Sequence, residues 1–200
     1  MLHRAVVAAF CVALLSFTHA SMAEGPTKPA ANRAGCLAAG GGYLRARVRG
    51  ALDLDLDWKN ADMQCEGGPR PPGKDNKRNG MRVSIGGPLR DGTHRIRLVF
   101  GIAGVGEGDG GSALRTNVTV LFEGENRVFA TQGDDKCTVD SLAQQRVESL
   151  GPGTAVYRVV ARGFCIGPAT SLSREERVVI TSFDFAGRVE FSDDDRHAPN

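Results

Sequence analysis

The sequence contains few of the side chains on which many enzyme active sites and nucleic-acid interfaces depend. It has four histidines, one tryptophan and two tyrosines among 200 residues, and its formal net charge is only +2. The scarcity of histidine excludes a zinc site built on histidine. The small charge excess and the few aromatic residues give no support for nucleic-acid binding.

Long hydrophobic runs are also missing, apart from an apolar stretch of about 13 residues between Ala5 and Phe17. This stretch follows Arg4 and is too short to span a bilayer. It therefore predicts a signal peptide over residues 1–23 that is cleaved after Ala23. We expect a periplasmic or secreted protein without a transmembrane segment.

Cysteine is sparse too, and no two cysteines have the Cys-x-x-Cys spacing of a zinc knuckle or a redox site. Loss of Cys11 with the leader leaves four cysteines, an even number that predicts two disulfides in an exported chain. Three pairings are possible. We favour Cys36–Cys65 and Cys137–Cys165, because these two pairs close loops of similar length.

The rest of the chain divides into an arm, one domain and a tail. Residues 24–35 predict a flexible arm, and residues 192–200 predict a disordered acidic tail. Residues 36–191 contain about eight to ten short stretches of strand character, separated by turns at intervals of about ten residues. This pattern predicts a single all-β domain, an antiparallel β-sandwich or jelly-roll-like fold with two disulfides and at most one short helix.

The strongest pattern covers residues 43–58, where apolar and polar residues alternate without interruption. One long strand and a hairpin that turns at residues 50–52 both fit this alternation. We favour the long strand, because Gly50 stands at the wrong end of such a loop for the usual glycine bulge. In the hairpin, three arginines would face three aspartates, in the pairs Arg49 with Asp53, Arg47 with Asp55 and Arg45 with Asp57.

Two further segments matter for the fold and for binding. Residues 139–150 fit a short amphipathic helix and a strand equally well. Residues 66–80 contain three prolines and four glycines, which predicts a long surface loop. Loops of this length in a compact domain are often functional, so we expect a partner to contact its basic residues, which are Arg70, Lys74, Lys77 and Arg78.

Three aspartates at alternate positions, Asp53, Asp55 and Asp57, form the most informative group of carboxylates. Alternation along one strand face places such groups about 6 to 7 Å apart. This spacing suits a shared calcium ion or a pair of carboxylates beside a glycosidic bond. A solvated charged face is the simpler interpretation, so we expect no cofactor, with calcium as the alternative.

Two other features favour structural roles over chemistry. His94 falls on the apolar face of its predicted strand, which indicates a packed side chain rather than a general base. The run from Gly106 to Gly111 matches Gly-x-Gly-x-x-Gly, but a strand and not a helix is predicted to follow it. Its two carboxylates would also repel a pyrophosphate.

The scarcity of catalytic side chains favours an exported module that binds an envelope or extracellular partner and catalyses no reaction. The partner would be a polymer, a lipid or a protein. Its anionic groups would meet the basic loop and a face formed by Arg45, Arg47 and Arg49, since guanidinium groups fit phosphate and carboxylate. The alternative function is a carbohydrate-active or calcium-dependent glycan-binding jelly roll that uses the carboxylates between Asp53 and Asp57.

Overall fold

The computed structural model describes residues 35–71, 80–149, 151 and 153–193. Almost all regular structure in these residues is β, in eleven antiparallel strands, which confirms the predicted fold class. Within the same residues, no helix has the length and apolarity needed to cross a membrane. The predicted signal peptide, nearly all of the arm and most of the tail lie outside the described residues. The strands are β1 Tyr43–Gly50, β2 Leu54–Lys59, β3 Gln64–Pro69, β4 Gly80–Pro88, β5 Arg95–Ala103, β6 Leu114–Glu123, β7 Val128–Ala130, β8 Cys137–Ser149, β9 Thr154–Cys165, β10 Ala169–Ser171 and β11 Arg177–Ser192.

The strands form two layers that pack on one core. The first layer has the order β2, β1, β11, β9, β8, and the second has the order β3, β4, β5, β6, β7. The short strand β10 joins the layers by pairing with both β7 and β11, and the first residues of β6 pair with β8. In the described part of the chain β2 has one paired neighbour, so it forms an edge of the first layer.

An aromatic cluster lies where the two layers meet. The ring of Phe100 in β5 lies 4.9 Å from the ring of Phe183 and 4.7 Å from that of Phe185, both in β11. All three side chains are buried, and burying each stabilises the fold by about 1.5 to 3 kcal/mol. The apolar face predicted for the strand that contains His94 is confirmed from Ile96 onward, since four of its residues are fully buried, namely Ile96, Leu98, Phe100 and Ile102.

The alternating segment 43–58 is a hairpin, so the expectation of one long strand is wrong. Arg45 lies opposite Asp57 and Arg47 opposite Asp55 in the β1–β2 pair. Gly50 ends β1 with a φ of +116°, and a Cβ atom there would lie 2.6 Å from the carbonyl oxygen of Arg177 in β11. Glycine is needed at this position because the chain turns away from a neighbouring backbone at close range.

Residues 137–149 are strand β8, which answers the question of helix or strand for this segment. β8 pairs with β9 along nearly its whole length, with two irregularities in register. Long-range pairing of this kind outweighs the helical spacing of the apolar residues, which is a local property of the sequence.

The predicted loop 66–80 begins later than expected, because its first four residues belong to strand β3. β3 pairs with β4 as far as Pro69, and Gly80 already belongs to β4. A Cβ atom at Gly67 would lie 2.8 Å from the carbonyl oxygen of Arg188. The glycines that indicate a loop therefore serve partly to bring β3 close to β11.

The disulfides are Cys36–Cys65 and Cys137–Cys165, which confirms the favoured pairing. The second bond joins residues that lie opposite each other in β8 and β9. The first ties the segment before β1 to β3. Asn60 fixes the same segment, because its side chain accepts hydrogen bonds from the backbone N–H groups of residues 37 and 42.

Candidate functional site

The predicted arginines and aspartates lie together on the exposed face of the β1–β2 hairpin. Nε of Arg45 is 3.7 Å from Oδ1 of Asp57, and Nε of Arg47 is 3.9 Å from Oδ1 of Asp55. The opposite charges are cross-strand neighbours, an arrangement that favours this register of the hairpin. We call this row of ion pairs the charged ladder.

Arg49 completes the ladder and also holds the turn. It contacts two carboxylates, with Nη2 at 2.7 Å from Asp55 and Nη1 at 3.1 Å from Asp53. Its Nη1 also donates to the backbone carbonyls of residues 48 and 54, each at 3.0 Å. The hydrogen bond from Arg49 lowers the pKa of Asp55 below its ordinary value. Arg49 is thus largely committed to its own hairpin.

The ladder continues onto β11 through Asp184. The Tyr43 hydroxyl donates to Oδ1 of Asp184 at 2.8 Å, and Nη1 of Arg45 is 3.8 Å from Oδ2. Burial and the hydrogen bond to Asp184 raise the pKa of Tyr43. Arg45 therefore lies between two carboxylates, those of Asp57 and Asp184.

The three ladder aspartates, Asp53, Asp55 and Asp57, would need to give up their arginine partners to hold calcium. Calcium takes six to eight oxygen ligands, whereas each of these carboxylates contacts a guanidinium or ammonium group. Across residues 35–71, 80–149 and 153–193, no group of three or more histidine, cysteine, aspartate or glutamate side chains is arranged to hold a metal ion. Calcium binding stays a prediction for which the described residues provide no ligand cluster.

An open groove of about 700 Å³ runs beside the ladder, between residues 53–58 of the β2 edge and residues 88–91 of the turn after β4. Trp58 forms part of its wall but is buried, and its Nε1 donates to the carbonyl oxygen of Pro88 at 2.9 Å. The groove therefore offers carboxylates and a strand edge rather than an exposed aromatic ring on which a sugar stacks.

Arg70, the first basic residue of the predicted loop site, forms a bidentate ion pair with Asp134. Its Nη1 and Nη2 donate to the two carboxylate oxygens at 2.9 and 3.1 Å, and Asn117 donates to one of them at 2.6 Å. Burial alone would raise the pKa of Asp134, but these hydrogen bonds hold it below its ordinary value. The other predicted loop residues, Lys74, Lys77 and Arg78, lie outside the described residues.

His94 is exposed in the turn before β5, so the expectation of a packed side chain on an apolar strand face is wrong. Its ring Nδ1 lies 2.6 Å from Oδ2 of Asp91, whose Oδ1 accepts the N–H groups of Thr93 and His94. These bonds lower the pKa of Asp91 to about 2, and the hydrogen bond to Asp91 raises the pKa of His94. The Asp91–His94 pair stabilises the turn before β5. Strand β5 begins only at Arg95, so the alternation of strand faces does not apply to His94.

The glycine run 106–111 is tied to β8 by the side chain of Gln144 and by a backbone bridge between Gly111 and Leu142. Nε2 of Gln144 donates to the carbonyl oxygens of Gly106 and Asp109 at 2.6 and 2.7 Å. Strand β6 follows the run, as predicted. A dinucleotide fingerprint needs a helix N-terminus at this point, so this loop is part of the scaffold.

A separate cavity of about 210 Å³ lies between the segment 37–40 and the strands β8, β9 and β11. It lies on the side of β9 and β11 that faces away from the aromatic cluster, since its lining residues alternate with core residues. Its wall is apolar except for two arginines. The lining residues are Leu37, Ala38, Ala39, Gly40, Val147, Val156, Arg158 and Arg188.

The two arginines of the cavity are direct neighbours with a shortage of partners. Arg158 and Arg188 lie opposite each other in β9 and β11, where like charges repel. Arg188 is only 7% exposed, and its Nε has no hydrogen-bond partner among the described residues. Oε1 of Glu190 lies 2.8 Å from Nη2 of Arg188, but the two groups are not aligned for a hydrogen bond. Arg158 donates to the carbonyl oxygen of Gly41 at 3.3 Å.

Sequence reasoning missed this arginine pair. Alternation along β11 puts Arg188 on the face opposite that of Val189. An arginine on such a face is expected to be exposed to solvent. Its burial depends on the segment 37–40, which is distant in the sequence and is positioned by Asn60 and by the Cys36–Cys65 bond. The register between β9 and β11 is the information that would predict this pair. The sequence of either strand alone does not specify that register.

No family model, no curated protein and no solved structure matches this chain.

Proposed function

We propose that this protein is an exported, non-enzymatic binding module whose envelope or extracellular partner carries negative charge. The observation that carries this proposal is the pair Arg158 and Arg188 beside an apolar cavity. Two guanidinium groups at neighbouring positions repel each other, and the carboxylate of Glu190 lies near only one of them. A bound carboxylate or phosphate relieves the repulsion between the two guanidinium groups.

The contrast with the other arginines supports this assignment. The arginines of the charged ladder and Arg70 each contact an aspartate. Among the described residues, Arg158 forms no ion pair, and Arg188 pairs only with Glu190, without a hydrogen bond from its Nε or Nη2. The cavity therefore combines an apolar wall with positive charge that is only partly paired within the described residues.

Two disulfides support the exported location, because disulfides persist in oxidising compartments such as the periplasm and the medium. The predicted signal peptide over residues 1–23 points to the same destination.

Binding to anionic and neutral vesicles and to a polyuronate, measured at low and high ionic strength, tests the proposal. We expect the oxidised protein to bind at least one anionic probe, with an affinity that falls as salt rises. The R158M variant should weaken this binding. R162M is the matched control, because Arg162 lies on the same face of β9 and is exposed and outside the cavity. Absence of binding to all anionic probes would contradict the proposal.

Glycan binding through Asp53, Asp55 and Asp57 is the second candidate, and the open groove beside β2 favours it. It predicts that an oligosaccharide binds in the presence of calcium and that a chelator, D55N or D57N abolishes this binding. Oligosaccharide binding that survives all three changes would exclude these carboxylates, as would the absence of any binding.

A further inference from the structure

The cavity beside Arg188 combines a charged end with an apolar body. Its charged members are the neighbouring residues Arg158 and Arg188, and the rest of its wall is aliphatic side chain and backbone, with Leu37, Val147 and Val156 as the largest members. A ligand with many hydroxyl groups would leave them without partners against such a wall. A single carboxylate suits it, because two guanidinium groups satisfy both carboxylate oxygens.

The size of the cavity limits the apolar part of the ligand. Its 210 Å³ exceeds the roughly 150 Å³ of a cavity that takes up benzene. A ring or a chain of about seven to ten carbon atoms fits this volume by that comparison. A hydrated inorganic anion would leave most of the apolar wall unfilled.

Val147 adds an independent indication of an apolar ligand. It is a large hydrophobic side chain with 46% exposure, although it lines the cavity. The register of β8 and β9 shifts between Arg146 and Glu148, so Val147 is the extra residue of a bulge. Bulges re-aim a side chain next to functional sites, and this bulge presents an apolar group at the opening of the cavity.

We propose that this cavity binds an amphipathic carboxylate, a medium-chain fatty acid or an acyl group that ends in a carboxylate. The carboxylate lies between Arg158 and Arg188, and the hydrocarbon packs on Leu37, Val147 and Val156. This inference rests on the proposed function and names the ligand of the same site.

Isothermal titration of the oxidised, exported protein with octanoate tests the inference, with acetate and 1-octanol as comparison ligands. We expect octanoate to bind one to one. Acetate should bind at least about tenfold more weakly because it buries no chain. Octanol should also bind at least about tenfold more weakly because it lacks the charge-assisted hydrogen bonds.

Two variants and one control locate the site. R188M and R158M should each lower the affinity for octanoate about tenfold or more, since each removes a charged donor. R162M should leave the affinity unchanged. If R188M fails to fold, R158M decides the question, because Arg158 is only partly buried.

Three results would overturn the inference. They are no octanoate binding, equal affinities for octanoate and octanol, and unchanged octanoate affinity in R158M. Vesicles of phosphatidylglycerol separate this inference from the broader one. If the protein binds these vesicles and does not bind octanoate, its partner is anionic, but the proposal of an amphipathic carboxylate as the ligand is wrong. If neither these vesicles nor any other anionic probe binds, both proposals fail.

Discussion

Replacement of Glu123 by glutamine should destabilise the fold much more than replacement of Asp57 by asparagine, although each change removes one carboxylate from two basic side chains. Glu123 accepts hydrogen bonds from Nε of Arg97 at 2.7 Å and from Nε of Arg95 at 2.8 Å. Its side chain is 24% exposed and that of Arg97 is 19% exposed. Asp57 is 61% exposed in the charged ladder.

The magnitude follows from the difference in burial. Removing one partner of a fully buried ion pair costs about 3 to 5 kcal/mol, so partial exposure reduces the expected cost of E123Q to about 2 kcal/mol. Exposed pairs contribute about 0 to 1 kcal/mol, and Arg45 keeps Asp184 when Asp57 is lost. We therefore expect D57N to cost less than about 0.5 kcal/mol.

Urea unfolding of the two variants and the original protein measures both costs. The pH dependence gives a second check. Burial would raise the pKa of Glu123, but its two arginines outweigh burial and lower it. The carboxylate therefore stabilises the fold above its unfolded pKa, about 4.3, and this stabilisation disappears as pH falls through the lower folded pKa. The reasoning is refuted if E123Q and D57N cost the same at neutral pH.

Three further predictions concern a turn, a disulfide and a close backbone contact. NMR titration should place the pKa of His94 above its ordinary value, D91N should lower it, and an unchanged value would exclude the turn pair. The C137A/C165A double variant should lose about 3.5 kcal/mol in urea unfolding, because the bond closes a separation of 28 residues; a loss below about 1 kcal/mol contradicts this. G163A should lose about 2 to 3 kcal/mol in the same assay because its Cβ would overlap the backbone of β8, and an unchanged midpoint contradicts that overlap.

The alternation of polarity predicts which side chains of a strand are buried, but not how far a strand continues. It gives the buried face of β5 correctly because that face depends only on the local period of two. In residues 43–58 the same alternation fits a single strand and a hairpin. The pairing of β1 with β2 identifies the hairpin in the structure. Gly50 turns there against the carbonyl of Arg177, a contact that joins distant parts of the sequence.

The candidate site shows the same division between local and distant information. The ladder pairs Arg45–Asp57 and Arg47–Asp55 follow from the hairpin alternative, because cross-strand neighbours in a short hairpin are set by the turn. The pairing of Arg70 with a residue 64 positions away has no local signal. Basic residues in a glycine-rich and proline-rich segment therefore predict a surface loop, but not which of them already have partners.

The burial of Arg188 leads to a final prediction that separates binding from folding. A buried arginine whose Nε lacks a hydrogen bond costs stability, and methionine has a similar length without the charge. R188M should therefore raise the free energy of unfolding by up to about 2 kcal/mol, measured in urea without ligand, because it removes buried N–H groups that lack hydrogen bonds. Glu190, which is 35% exposed, can be hydrated after the change. Octanoate should raise the melting temperature of the original protein and not that of R188M. A loss of more than about 1 kcal/mol in R188M would show that the ion pair with Glu190 supports the fold, since removing one partner of a stabilising pair is costly.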